Sequence, residues 1–357
     1  MISVLPYGNG LVNKTFLVTT TKQKYIIQEI NKTVFKNPHL VMHNIDLITN
    51  HLRNKGNERS LKIIKTKTGR NYLFLKGKYY RCYNYIEGTV CFDKATDINQ
   101  FYQVGKAVGK FQKDLIDFDV DKLADTIPNF HNTPHRFEQF LEALKEDPMK
   151  RAELVRPETR FVLKHYQTTK ILEDQIKQNK IPKRVSHNDT KLNNVRFDIE
   201  TKEAVCLVDL DTVMAGSVLY DFGDAIRIGA ASSYEDEPDL SKMTIDLNYF
   251  QAFSVGFLET TIDFLTPDEI DNLVNSVKVI TLECGIRFLT DFLNGDSYFR
   301  IEYPLHNLIR ARAQFKLFQE IEKKEKLMKE IINNVASKVM NAQEVNLELL
   351  FFIVNFK

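Results

Sequence analysis

An α+β chain in two parts, a small antiparallel β-sheet with one main helix followed by a large and mostly helical region, is predicted by three observations. Residues 1 to 88 alternate short β-rich runs with turn residues. After Glu87-Gly88, apolar residues fall at helical spacing almost throughout. At 357 residues the chain is long enough for two lobes with ample buried core.

In the first part, FLVTT and KYIIQEI are strands separated by TKQ, and LKIIKT, NYLFLKG and KYYRCYNYI repeat the pattern around TGR and GK. Between the second and third strands, Asn37 can cap and Pro38 occupy N1 of a helix. Its Val41, Ile45, Ile48 and Leu52 share one face, and Gly56 can close it. In the second part, Ile98, Phe101, Val104, Val108, Phe111 and Leu115 form one stripe. Asn132 and Pro134 open the next helix, and residues 157 to 179 read as another. Thr266-Pro-Asp-Glu269 is a capping box opening a long helix through roughly Phe292, and a final amphipathic helix follows Pro304. The expected boundaries are therefore 1–88 for the β-rich lobe, 89–340 for the helical lobe and 341–357 for a tail without assigned structure.

Composition narrows the class. Hydrophobic residues at 43% and charged residues at 27% are ordinary for a globular protein. The formal net charge of +2 points to neither a nucleic-acid nor a membrane partner, and any anion site must be local. Cys82, Cys91, Cys206 and Cys284 form no C-x-x-C pair, which fits a reducing cytoplasm rather than a zinc ribbon or a disulfide framework. MISVLPYGNG does not have the form of a signal peptide. The apolar stretch Leu347 to Phe356 is about half the ~20 residues of a spanning helix and reads as a packed or frayed tail.

The chemistry concentrates in VSHNDTKLNNVRFD, residues 185 to 198. Asn194 stands five after Asp189 and Lys191 two after it, the spacing of a protein-kinase catalytic loop. An alcohol attacking a polyphosphate needs a carboxylate to orient it, a metal to neutralise phosphate oxygens and a nearby cation. Asp189, Asn194 and Lys191 can supply these; a polar turn capping its own backbone is the competing reading. VCLVDLDT reads as an apolar strand ending in Asp209-Leu-Asp211, whose alternation puts both carboxylates on one face, a pair suited to a hard divalent cation or to capping a strand end. Asp221-Phe-Gly223 spells D-F-G but follows no strand, so Asp221 is expected to be structural, with Arg227 as its candidate partner.

Further signals are weaker. Gly8 and Gly10 can let backbone approach a phosphate or simply make a hairpin turn. Gln28 stands where a strand lysine would pair the phosphates. His131 and His135 read as structural rather than zinc ligands. Glu283, Arg287 and Asp291 form either an ion-pair ladder or a face toward a hydroxylated substrate.

With these in place, the chain resembles the aminoglycoside phosphotransferase and choline kinase superfamily. FHNTPHRFEQF, HNDTKLNN, VDLDT, LYDFGDAIR, LECGIRFLTDFLNGDSYF and YPLHNLIRARAQFKL are similar, in order, to stretches of the N-acetylhexosamine 1-kinases within it. The resemblance implies a bilobal protein-kinase-like fold, with the nucleotide on the β-rich lobe and catalysis and acceptor on the helical one. It implies transfer of the γ-phosphate of ATP, with Mg²⁺, to the anomeric hydroxyl of N-acetylglucosamine or N-acetylgalactosamine. By the same resemblance Asp189 is the base with Lys191 beside it, Asn194 and Asp209 hold the metal, and Asp189, Asp211, Arg287 and Tyr298 meet the sugar. Gly8, Asn9, Gly10, Gln28, Tyr85 and Ile86 are the expected nucleotide positions. Leu11 departs from the His that relatives carry there. A kinase of choline, ethanolamine or an aminoglycoside would need an acidic site, for which Glu235-Asp236-Glu237 is the candidate. A nucleotide-binding pseudokinase scaffold draws on Gln28 but conflicts with the Asp189, Asn194 and Asp209 set.

Overall fold

The computed structural model describes residues 2–8 and 12–355, with side chains through residue 343. Asn9, Gly10 and Leu11 lie outside the described residues. The first lobe is a five-stranded antiparallel sheet in the order β1-β2-β3-β5-β4, from β1 (Ser3–Pro6), β2 (Lys14–Thr19), β3 (Lys24–Ile30), β4 (Leu73–Leu75) and β5 (Lys78–Asn84). Helix α1 (Pro38–Asn54) buries the expected Val41, Ile45, Ile48 and Leu52. Asn37 occupies its N-cap, but the side chain makes no capping bond. Asn44 on the same helix anchors it to the second lobe: its Nδ2 donates to Ala124 O at 2.8 Å and Val213 O at 2.9 Å.

LKIIKT is not a strand. It touches the sheet through the single bridge Ile63 to Tyr83, with Asn84 N donating to Lys62 O. The Asn84 side chain accepts from Lys62 N at 2.6 Å, a local bond that stands in for further ladder pairing.

The second lobe opens with β6 (Thr89–Val90), which joins β8 (Val195–Asp198) and β9 (Ala204–Leu207) in a three-stranded sheet, while β7 (Arg184–Ser186) pairs with β10 (Met214–Gly216). Around them pack α2 (Ile98–Asp114), α3 (Thr133–Glu146), α4 (Arg156–Lys164), α5 (Ile171–Lys177), α6 (Val218–Gly229), α7 (Leu247–Thr261), α8 (Pro267–Asp271), α9 (Leu273–Leu293) and α10 (His306–Asn355). Two helices expected as single are broken. His165 Nδ1 bonds Phe161 O at 2.8 Å, and the chain tightens into a 3-10 turn between α4 and α5. The capping box at Thr266 forms, yet Asn272 Nδ2 bonds Asp268 O at 2.8 Å and splits α8 from α9. Conversely α10 continues to Asn355, through the stretch expected as a separate tail. Among the described residues no helix is long and apolar enough to cross a membrane. The whole is the α+β, bilobal, protein-kinase-like fold the sequence predicts.

Candidate active site

Strands β7 and β8 hold the two ends of the loop 187–194, and one buried carboxylate shapes its start. Asp221, on the first turn of α6 and 0% exposed, accepts from Asn188 N at 2.7 Å and Ser186 Oγ at 3.0 Å on one oxygen. Its other oxygen accepts from His187 N at 2.9 Å and Gln112 Nε2 at 2.6 Å. The expected pairing with Arg227 is wrong: Arg227 bonds Asp224, one helical turn on from Asp221, and Glu235, beyond the end of α6. Four donors converging on two oxygens leave Asp221 no room for a cation. Asn188 adopts φ +65°, and this left-handed residue turns the chain just before Asp189.

Asp189 Oδ2 lies 3.0 Å from Lys191 Nζ and accepts from Asn194 Nδ2 at 3.0 Å. Asn194 Nδ2 also donates to Asp189 O at 2.8 Å, which fixes the amide and leaves Oδ1 pointing elsewhere. Burial would raise the Asp189 carboxyl, but the Lys191 ammonium holds it below the ordinary carboxylate range. Lys191 is raised in turn, chiefly by Asp189.

Asp209 reaches the same region by a different route from the one expected. Strand β9 ends at Leu207, and Asp209 adopts φ +62° before a 3-10 turn. Strand alternation therefore does not align Asp209 with Asp211; the turn does. Val208 N donates to Asn194 O at 2.8 Å, which sets the Asp209 segment beside the loop. Burial, then the Asp211 and Asp189 carboxylates, push the Asp209 carboxyl up to about 6. Among the described residues its carboxylate makes no ion pair. Asn194 Oδ1 and Asp209 thus offer hard oxygen donors beside the Asp189 carboxylate, a set that fits Mg²⁺, which is held by one or two carboxylates plus substrate phosphates. Among the described residues no group of three or more His, Cys, Asp or Glu side chains is placed to hold a metal ion by itself.

Asp211 is already engaged. Its oxygens accept from Arg81, by an ion pair, and from Asn13 Nδ2 at 2.6 Å. Arg81 is the residue that sequence reasoning missed. It lies on β5 directly opposite Gln28 and is 2% exposed. The available signal was a charge in the inward series of a strand, two residues before the buried Tyr83. Gln28 itself bonds Arg81 Nε at 2.9 Å and Thr15 Oγ1 at 3.0 Å. Of the other positions expected to meet a nucleotide, Gly8 turns with φ +75° after β1. Tyr85 packs edge-on against Tyr7, and the Ile86 carbonyl accepts from Thr89 Oγ1 at 2.7 Å.

On the other side of the loop, His131 is buried between Asn188 O at 3.4 Å and Glu283 Oε1 at 2.9 Å. His135 does not join it and instead lies 3.6 Å from Glu138. Glu283 also accepts from Thr133 Oγ1 at 2.7 Å, and Arg287 stands 3.8 Å from it. The Arg287 guanidinium sits against the rings of Phe130, Phe299 and Tyr298 and makes no hydrogen bond among the described residues. Asp291 does not complete a ladder: it accepts the backbone N-H groups of Ser297, Tyr298 and Phe299 and fixes that turn. A cavity of about 560 Å³ opens behind the loop, walled by Asn188, His131, Phe130 and Tyr220; Asp189, Arg287 and Tyr298 do not line it.

The pattern of a bilobal fold with a His-x-Asp loop and an acidic turn is that of a phosphotransferase. The chain belongs to the phosphotransferase enzyme family, whose model matches residues 3–256. Solved structures of the same fold include a microcompartment-associated aminopropanol kinase, 13% identical with a TM-score of 0.60, covering 92% of this chain and 93% of that one. A choline kinase from Cryptosporidium parvum Iowa II is 15% identical with a TM-score of 0.59, covering 95% and 93%. Spectinomycin phosphotransferase in complex with ADP and spectinomycin is 13% identical with a TM-score of 0.50, covering 95% and 92%.

Proposed function

We propose that this phosphotransferase uses ATP and Mg²⁺ to phosphorylate the anomeric hydroxyl of N-acetylglucosamine or N-acetylgalactosamine. In this reading residues 1–88 carry the nucleotide and 89–340 the catalytic loop and sugar. The observation that supports a neutral, hydroxylated acceptor is Arg287, a partly exposed guanidinium with unspent donors held among Phe130, Tyr298 and Phe299. Asp189, kept ionised by Lys191, accepts the hydrogen bond of the anomeric O-H and orients its oxygen for attack. Lys191 then follows the transferred phosphoryl group. Mg²⁺, when bound on Asn194 and Asp209, neutralises charge on the phosphates. Arg287 and Tyr298 orient the ring, so that positioning carries much of the rate.

The competing acceptors are cationic, as in the choline and aminopropanol kinases that share the fold. They need unspent carboxylates. Here Glu235 pairs with Arg227, Asp236 with His306 at 3.1 Å, and Glu237 caps Asp239 N at 2.9 Å. The aromatic group that could hold an ammonium already holds Arg287. An assay of ATP turnover over both amino sugars, choline, ethanolamine and kanamycin, with phosphorus NMR of the product, separates these readings and the pseudokinase. A sugar 1-phosphate is expected. Asp189→Asn is expected to cut turnover by roughly two to four powers of ten with sugar affinity largely kept; near-normal turnover removes Asp189 from the mechanism.

A further inference from the structure

The position on β3 where a phosphate-pairing lysine is expected holds Gln28, and its partner across the ladder is Arg81. Directly opposite residues of antiparallel strands project to one face with Cβ atoms about 5 Å apart. A long cationic side chain at 81 therefore enters the volume that a lysine at 28 would fill. Gln28 steers it: Oε1 accepts from Arg81 Nε at 2.9 Å, and Nε2 is tied to Thr15 on β2 at 3.0 Å. The guanidinium then ends on Asp211, two residues beyond the Asp209 carboxylate. Asn13, which directly precedes β2, takes the other Asp211 oxygen and also accepts from Asn31 N at 3.0 Å.

A buried ion pair of this kind usually adds little to stability over an apolar pair, because desolvation offsets the attraction. Its placement is therefore better explained by what the charge faces. We propose that Arg81 is the small-lobe cation for the nucleotide's phosphates, resting on Asp211 until a nucleotide is bound and then sharing its guanidinium with the phosphate oxygens. Gln28 is the positioning residue that aims it. Asp211 acts as the resting partner and, through Asn13, reports the exchange to the start of β2. This inference rests on the kinase reading above, and it explains how the chain keeps a phosphate cation although β3 lacks one.

The test is calorimetric titration of the full chain with ADP and, separately, adenosine, each with Mg²⁺. Because Arg81→Gln alone strands a buried carboxylate, the comparison is between Asp211→Asn and the pair Arg81→Gln/Asp211→Asn, in which both charges are gone. Adding Gln28→Lys to the pair returns a cation from β3. Loss of about tenfold or more in ADP affinity on going from the single to the double variant, with adenosine affinity unchanged, is the expected result. Recovery by Gln28→Lys is expected as well. ADP binding within twofold of Asp211→Asn, or equal losses for ADP and adenosine, overturns the proposal and leaves Arg81 a structural tie. A parent chain that binds neither ligand overturns the kinase reading with it.

Discussion

Asp189 and Asp221 show how two carboxylates thirty-two positions apart divide one task. Asp221 spends both oxygens on the backbone and side chains that start the loop, whereas Asp189 keeps one oxygen, Oδ1, without a hydrogen-bond partner among the described residues. An amide at 221 presents an NH₂ to two donors that need an acceptor. Asp221→Asn is therefore expected to destabilise the fold by about 2–4 kcal/mol. Urea denaturation at neutral pH checks this, and a change below about 0.5 kcal/mol would show that the loop holds its shape without the carboxylate. The D-F-G spelling gives no hint of this role; only the convergence of His187 N, Asn188 N, Ser186 and Gln112 reveals it. The meeting of Asp189, Asn194 and Lys191, by contrast, was legible because all three lie within one short loop.

Helices α2 and α7 cross where glycines let their backbones approach, an element-scale feature of the large lobe. A Cβ on Gly105 would lie 2.2 Å from Phe253 O, and one on Gly256 would lie 2.2 Å from Tyr102 O. Backbone atoms on both sides leave no side chain to yield. Gly105→Ala is thus expected to cost about 1–3 kcal/mol by forcing the helices apart, despite alanine's better helix propensity. A thermal midpoint at or above that of the parent would mean that the crossing tolerates the shift. The stripe from Phe101 to Leu115 told of α2, since burial of a helix face imposes a period on the sequence. Nothing local told where its partner would cross. The same limit explains LKIIKT, whose β-rich composition promised a strand but whose Asn84 neighbour took the backbone bond. It also explains Asp209, where a left-handed turn replaced the strand that alternation assumed. Propensity describes a residue's preference, and these outcomes were decided by partners distant in the chain.

Across the whole molecule the lobes are joined by polar contacts as well as by the core, and one of them responds to acid. Asp198, the last residue of β8, accepts from Thr201 N at 3.0 Å and Glu200 N at 2.9 Å, and Arg59 of the small lobe donates to it at 2.7 Å. The Thr201 backbone bond, then Arg59, then the Glu200 bond hold its carboxyl at about 2. In the unfolded chain an aspartate titrates near ~3.9. The folded value is the lower one, so this carboxylate contributes stability in full above about pH 4 and loses it as the pH falls toward about 2. Asp198→Asn should therefore flatten the fall of stability over that window relative to the parent, by at most one proton's worth of slope, while leaving its shape above pH 5 unchanged. Arg59→Gln should flatten it less, because both backbone donors remain. Denaturant midpoints at pH 5, 4, 3 and 2.5 for the three chains decide the matter. The comparison must be differential, since Glu320, held at about 2 by Lys316 and Lys323, titrates in the same window. Equal slopes in all three chains would mean that the Arg59 and Asp198 contact exists without coupling the lobes, and the clasp of Asn13 and Arg81 on Asp211 would then carry that coupling beside the proposed nucleotide site.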